Sequence, residues 1–536
     1  MGTKQFDSAT DLITFTRASG GTALRKVSYG NELVTNGDFA SGTTGWVDGT
    51  TYSGALDASS GKLLITTDSS SGYGCAIQGV PLVVGKAYRL TGSRRAVSGG
   101  NPAIGVSNSA GTVQVVLLSG SASTVTNDFS VTFVASSTLS LCLFNQSPTN
   151  GNSSEFDNIS VKEALYDQPD GTLQLFNSPA NVPRIEYNAD GTVKGLLIEE
   201  ARTNLMTNSG NLASADWSSP RLTVGAVTAG SPFGAYQSIT PVGQGVVKAN
   251  AYQVDKSITL GATYVGWAFV KYSAGSGWFA LNLYDTGKDD ERAWFDVQNG
   301  VVGAKDALII DHGMVDYGDG WWLCWASANA ASGSGGLVVV VTNGNSVVTS
   351  SISDTILIAG TQFEAGAFPT SYIPTTGSTA TRAADFAQIP TSAFGYNNDK
   401  GSLVIDVLTP VADQFMGLAV FNTVNYHNSR GLWKSNFSYN GAGDYFFFQT
   451  FDGVSLKVPL GQQTQAGYTK LGLSYGDNEN AVKDGGTVIS GARRYTNPIR
   501  LILGGRDDGY QSQCWIKSIK YYPRRLSNAQ LQELTT

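Results

Sequence analysis

Glu199 and Glu200 stand side by side, followed at once by Ala201 and Arg202, in a chain where only 14% of residues are charged. Paired carboxylates are the equipment of glycoside cleavage, which sets them about 5–10 Å apart on either side of the scissile bond. Consecutive residues of an extended strand project to opposite faces, so these two would not flank one bond. With Arg184 upstream and Arg202 just beyond, an ion-paired role is expected and no catalytic residue is assigned.

The remaining reactive groups are sparse. The two histidines, His312 and His427, have no metal-ligand spacing and read as surface or hydrogen-bonded structural residues. The sequence holds no G-x-S-x-G elbow, no Walker-type Gly-Lys-Ser/Thr loop and no Cys–His motif. Four dispersed cysteines, Cys75, Cys142, Cys324 and Cys514, lie in apolar or aromatic surroundings. Buried free thiols are expected for them, with a Cys75–Cys142 disulfide as the alternative. An enzyme is not expected.

Sugar recognition needs other groups. Sugar ring faces stack on aromatic side chains, while Asn, Asp and backbone groups take the hydroxyls. The turn-flanked aromatics Trp46, Tyr73, Trp278, Tyr284, Trp433 and Tyr510 are therefore glycan-binding candidates, each with core filling as its alternative. The run Trp321-Trp322-Leu323-Cys324-Trp325 divides its tryptophans between two faces, so at least one face of it is core.

The elements that would position these groups are strands. Gly numbers 64 of 536 residues, charge is low and aromatics reach 10%, the composition of an all-β chain with many tight turns. The carboxylate pair lies in GTVKGLLIEEARTN at residues 191–204, preceded by PRIEY and an Asp190-Gly191 turn that predicts a hairpin. The abrupt change from Leu196-Leu197-Ile198 to ionic residues predicts a strand leaving a core. Arg17, Arg184, Glu199, Glu200 and Arg202 are assigned to a structural hub there, formed by residues 1–30 with 166–202.

Short strands at regular spacing predict a β-sandwich over residues 31–165 and a second over residues 203–366. Their openings match: Leu33-Val34-Thr35-Asn36 and Leu205-Met206-Thr207-Asn208 each precede a tryptophan by about ten residues, Trp46 and Trp217. Two copies of one fold are expected. Pro369 and Pro374 predict an extended linker over residues 367–393, followed by a further sandwich over residues 394–536. That last domain ends in a short helix with S-x-x-Q capping at Ser527 and Gln530.

Charge and hydropathy exclude other classes. A net charge of −7 gives no broad cationic surface for nucleic acid, and no apolar run approaches the ~18 residues of a membrane span. MGTKQFDSATDL lacks the features of a secretion signal, so folding in a cytoplasm is expected.

LITFTRAS at residues 12–19 and PRIEYNADGTVKGLLIEEARTNL at residues 183–205 resemble a signature of tailed-phage and prophage virion proteins of the tail fibre-like family. QFEAGAFPTSYIPTTGSTATRAAD at residues 362–385 resembles another part of the same family. In that family the first two phrases lie close together, so their separation here implies insertion of a whole module. NELVTNGDF, the Gly-Trp after it and FDNISV are similar to jelly-roll carbohydrate-binding modules. Residues 471–475, the Lys483-Asp484-Gly485-Gly486 turn and IKSIKYYPRRLSNAQLQEL resemble a concanavalin-type, laminin-G-like lectin domain.

The resemblance implies a structural virion protein assembled in the host cytoplasm. It would be a tail fibre, spike or receptor-binding component contacting host surface glycans. The alternatives are a capsid-bound head fibre or decoration protein and a polysaccharide-cleaving tailspike. Other virion proteins and host polysaccharide are the implied partners, with a homo-oligomer, a trimer by resemblance. Asp157, in Phe-Asp-Asn-Ile, matches a place where such jelly rolls hold a structural calcium, with turn capping as the alternative. Asp507-Asp508-Gly509 carries the same pair of readings.

Overall fold

Alternating side chains between Gly-, Ser-, Thr- and Asn-rich turns become antiparallel strands throughout. The α-helix among the described residues, Asn528–Thr535, starts with the expected Ser527–Gln530 capping box. The computed structural model describes residues 12–49, 52, 54–68, 73–107, 113–118, 120, 122–135, 140–230, 234–285, 291–410, 416–423, 429–435, 445–451, 455–462, 467–492, 497–505, 511 and 513–536. Lys26–Thr172 forms one compact unit and the remaining chain another.

In the smaller unit, one sheet places Ala87–Ser98 between Asn127–Val134 and Ser153–Tyr166. A facing sheet runs Val47–Asp48, Gly74–Gly79, Ser140–Asn145, Pro102–Ser107, Val113–Leu118. Leu63, Ile65, Leu90, Ile104, Leu143, Phe156 and Val161 fill the space between them. Cys75 and Cys142 are not free thiols: they form a disulfide on the outer face of the second sheet. Cys75 lies opposite Phe144 and Cys142 opposite Ile77, which makes the two cysteines diagonal neighbours on one face. Cys324 and Cys514 are free and buried, as expected.

The second sandwich has a seven-stranded sheet in the order Leu222–Val224, Gly234–Pro241, Thr355–Ala365, Thr263–Ala274, Trp321–Asn329, Ile309–Asp316, with Thr228–Gly230 also paired to Gly234–Pro241. Its five-stranded partner runs Ala249–Ser257, Ser334–Thr342, Trp278–Asp285, Arg292–Asp296, Val301–Lys305. Both faces of Trp321–Asn329 are covered. Cys324 and Ala326 enter the inter-sheet core, while Trp321, Leu323 and Trp325 join a cluster with Trp267, Phe269 and Tyr372.

The two modules share a hydrogen-bonded opening. Trp46 Nε1 donates to the Asn36 carbonyl at 3.2 Å, and Trp217 Nε1 donates to the Asn208 carbonyl at 3.2 Å. Gln78 Oε1 accepts from the Thr35 amide and its Nε2 donates to the Thr35 carbonyl. Gln253 does the same to both backbone groups of Thr207. Asn36 and Asn208 both take left-handed φ, 52° and 48°, a conformation Asn tolerates better than most residues.

The C-terminal sandwich changes the expected domain boundaries. One seven-stranded sheet runs Thr14–Thr16, Phe386–Pro390, Arg500–Leu503, Met416–Asn422, Ser429–Ser435, Tyr445–Phe451, Ser455–Gln462. The other runs Arg184–Tyr187, Val193–Ile198, Cys514–Tyr522, Gly401–Thr409, Gly467–Tyr475, Asn478–Lys483, Ile489–Ala492. Residues 12–17 and 184–198, expected as part of a separate hub, thus belong to this sandwich, with Thr14–Thr16 and Arg184–Tyr187 as edge strands and Val193–Ile198 one strand further in. Phe15, Leu196 and Ile198 sit in one core with Leu403, Ile405, Leu471 and Leu503. Gly195 faces Ile516 so closely that a Cβ would lie 2.8 Å from its backbone.

The 367–393 segment is likewise no free linker. Thr370, Ile373 and Thr375 are buried, and Ala380–Arg382 and Phe386–Pro390 are strands paired with Arg202–Asn204 and Thr14–Thr16.

These pieces converge on ionic side chains with at most 1% of their surface exposed. Glu199 Oε2 lies 2.8 Å from Arg184 and 3.0 Å from Arg382. Asp385 pairs with Arg184 and, at 3.1 Å, with Arg17. Ser371 donates to Glu199 through its amide and its hydroxyl, and Gln513 donates to Glu199 Oε1. Three guanidinium groups face two carboxylates, and Arg17 satisfies its other donors on the carbonyls of Ser19, Ser178, Pro179 and Val182. Glu200 bonds Arg202 at 3.0 Å from Nε. Glu199 and Glu200 follow the strand that ends at Ile198, and each engages its own cation.

Burial alone would raise the Glu199 carboxyl. Arg382, Arg184 and the Ser371 hydrogen bonds outweigh it and hold the group at about 2. A depressed folded value makes its stabilisation complete above the unfolded value near 4.5, and that stabilisation disappears as pH falls through about 2. Glu199→Gln should cost about 3–5 kcal/mol, because both guanidinium groups lose their shared counter-charge. Urea unfolding should show this at neutral pH, and the deficit relative to wild type should shrink between about pH 4.5 and 2. Replacing Lys26–Thr172 with a short Gly/Ser linker should leave the larger unit folded, with a cooperative thermal transition by circular dichroism.

Candidate functional site

The strand Trp278–Asp285 reads WFALNLYD. Period-two alternation sends Phe279, Leu281 and Leu283 into the inter-sheet core, leaving Trp278, Ala280, Asn282 and Tyr284 on the outer face of the five-stranded sheet. Ala249–Ser257 repeats the pattern, with Ala249 and Ala251 inward and Tyr252 and Val254 outward. Ala280, Trp294, Val338 and Val340 form an apolar floor. Trp294 is anchored by Nε1 donating to the Val347 carbonyl at 2.7 Å. Trp278 lies against the backbone of Gly303, where an added Cβ would stand 2.7 Å from its ring.

Above this floor lies a groove of about 250 Å³. Tyr252 and Tyr284 supply ring surface, Asn250 and Asn282 supply amides, and Lys248 and Arg292 supply positive charge. Lys248 has left-handed backbone, φ 57°, immediately before its strand. Asn282 is 5% exposed, and its Oδ1 is buried with no hydrogen-bond partner among the described residues. Such an oxygen normally finds a donor, so this one is set for a ligand or water. Among the described residues, the groove lining holds no carboxylate or histidine to act as general acid or base. The chemistry available is recognition of a ligand with apolar ring faces and polar edges.

The corresponding face of the first module has gone another way. Aligning Gln78 with Gln253, the two residues that clasp the opening turn, places Ile77 where Tyr252 stands, Cys75 at Asn250 and Tyr73 at Lys248. There the Cys75–Cys142 disulfide, Ile77, Ala103 and Phe144 pack into a closed apolar cluster. Tyr73 is half-buried, its ring 5.4 Å from that of Tyr52.

The six aromatic candidates therefore separate. Trp278 and Tyr284 share the grooved face. Trp46 is 4% exposed within the core of its module, tied to Asn36, so it offers no stacking surface. Trp433 is 3% exposed and stacked on Phe447 at 6.5 Å, which likewise closes its ring to a ligand. Tyr510 lies outside the described residues, as do His427 and Asp507-Asp508-Gly509. His312 Nε2 is 3.0 Å from the Gly303 carbonyl. Asp157 accepts from the Asn158 amide at 2.7 Å, next to a strand irregularity where Asn158 has φ 53°. Among the described residues no three His, Cys, Asp or Glu side chains are grouped to hold a metal ion.

Five polar or aromatic lining residues, Lys248, Asn250, Tyr252, Asn282 and Arg292, were not among the sequence candidates. The alternation in ANAYQVDKS could have placed Asn250 and Tyr252 on one face; Lys248 and Arg292 carry no such pattern.

No protein-family model and no curated protein matches the chain. Among solved structures, the CBM40 of the Ruminococcus gnavus IT-sialidase, bound to α2,3-sialyllactose, is 16% identical over 26% of this chain and 84% of its own, with a TM-score of 0.22. The CBM22 tandem of Paenibacillus barcinonensis Xyn10C is 12% identical over 63% of this chain and 98% of its own, TM-score 0.21. Mouse laminin α1 LG4–5 is 10% identical over 58% of this chain and 96% of its own, TM-score 0.18. At these TM-scores the likenesses carry no argument about what this chain binds.

Proposed function

We propose that this chain is a non-enzymatic glycan-binding protein whose binding site is the groove on the outer face of the five-stranded sheet. The carrying observation is the joint presence there of two tyrosine rings, two amides and an unpartnered buried Asn282 oxygen over an apolar floor. Aromatic faces match the C–H surface of a sugar ring, and amides match its hydroxyls. The chain's place is a tailed-phage virion, as a fibre, spike or related host-contact component. The phrases at residues 12–19, 183–205 and 362–385 support that part of the reading. A homo-oligomer and other virion proteins as partners go with it.

Binding of the full chain to a panel of bacterial surface oligosaccharides tests the site. Tyr284→Ala and Trp278→Ala should each weaken binding about tenfold, the equivalent of about 1.4 kcal/mol. Trp433→Ala should leave affinity unchanged wherever the protein stays folded. Unaltered binding in both variants would place the site elsewhere. Immunogold electron microscopy of particles tests the virion assignment, which fails if no copy is found on them.

A further inference from the structure

Within the glycan-binding reading, on which this step rests, the charge of the groove narrows the ligand. The chain as a whole carries −7, yet the described residues that line its groove include two cations and no carboxylate. Lys248 and Arg292 both border the space that Asn282 and the two tyrosines also line. Among the described residues, Asp306 is an acidic group near Arg292 and forms an ion pair with it. It accepts from the Arg292 amide at 3.1 Å, but its carboxylate is 3.7 Å from the guanidinium, beyond hydrogen-bonding reach. Lys248 holds a left-handed backbone that a lysine rarely takes, and its amide is fixed to the Val348 carbonyl at 2.8 Å. Two cations bordering one concave space raise the local concentration of anions.

We propose that the groove binds a carboxylated sugar, a uronic or other acidic residue of a polysaccharide, with the carboxylate at Arg292 and Lys248. The planar guanidinium suits a carboxylate by paired N–H···O contacts. The sugar ring lies across Tyr252 and Tyr284, and a ring hydroxyl or amide donates to Asn282 Oδ1. This assignment makes the apolar floor and the orphaned amide oxygen parts of one site. It predicts that ligand charge, as well as ring shape, sets affinity.

The test is calorimetric titration of the full chain with an acidic oligosaccharide, with the same oligosaccharide after reduction of its carboxyl groups to alcohols, and with a sulfated neutral oligosaccharide. The acidic ligand should bind at least tenfold more tightly than its reduced form, and raising salt should weaken the acidic ligand selectively. Arg292→Gln should bring the affinity ratio of acidic to reduced ligand close to one, and Lys248→Gln, as a second variant, should lower that ratio as well. Equal affinity for acidic and reduced forms would overturn the carboxylate assignment while leaving glycan binding intact. A preference for the sulfated ligand alone would also overturn it. Failure of every oligosaccharide to bind would remove the glycan reading itself.

Discussion

A carboxylate buried between two guanidinium groups is costly to desolvate and tolerable only when every partner is in place. Glu199 is in that position, with Arg184 and Arg382 against it and Ser371 and Gln513 completing its hydrogen bonds. Arg184 comes from the strand Arg184–Tyr187, Ser371 and Arg382 from the segment at residues 367–393, and Gln513 from just before Cys514–Tyr522. Arg17 and Asp385 extend the set to the first strand of the chain. Assembly of the larger unit is therefore close to all-or-none around this cluster: omitting any one segment leaves a buried charge uncompensated. Hydrophobic burial supplies the stabilisation, and the ionic cluster fixes which segments must meet.

The two jelly-roll modules show how one scaffold can be used in two ways. Their opening turns are held by the same Asn, Gln and Trp hydrogen bonds, all of them facing inward or along the rim. The outward face is free of that constraint. In one copy it is closed by a disulfide and apolar side chains; in the other it is open, aromatic and cationic. Fold and surface chemistry vary independently because alternate residues of a strand serve different masters.

The same separation explains what could be read in the sequence. All-β architecture, the repeat and the helix cap are local patterns, and each was legible. Trp46 takes the core-filling alternative, and the clue lies in the sequence: a tryptophan recurring at the same offset in both copies, Trp46 and Trp217, belongs to the shared scaffold. Trp433 is closed off by Phe447, on the neighbouring strand, and no local pattern reports that. The cluster around Glu199 was half visible. Arg184, Glu199, Glu200, Arg202 and Arg17 stood out as charges beside apolar runs, but Arg382 and Asp385 sit in a proline-rich stretch that reads as a linker. Their partners lie up to 368 residues away. Lys248 and Arg292 are isolated charges that acquire meaning only when strand order brings them to one space.

The edge strand Thr14–Thr16 pairs with Phe386–Pro390, and Val193–Ile198 pairs with Cys514–Tyr522. Both early strands leave the ribosome long before their partners exist. At roughly 5–20 residues per second, the wait for the C-terminal strands is on the order of tens of seconds. Both jelly rolls can fold in that interval, since each has its strands in a continuous stretch. Phe15, Leu196 and Ile198 meanwhile lack the core they will occupy. The order of synthesis thus lets the C-terminal sandwich close only after both jelly rolls, and its closure locks the earlier-made strands into place.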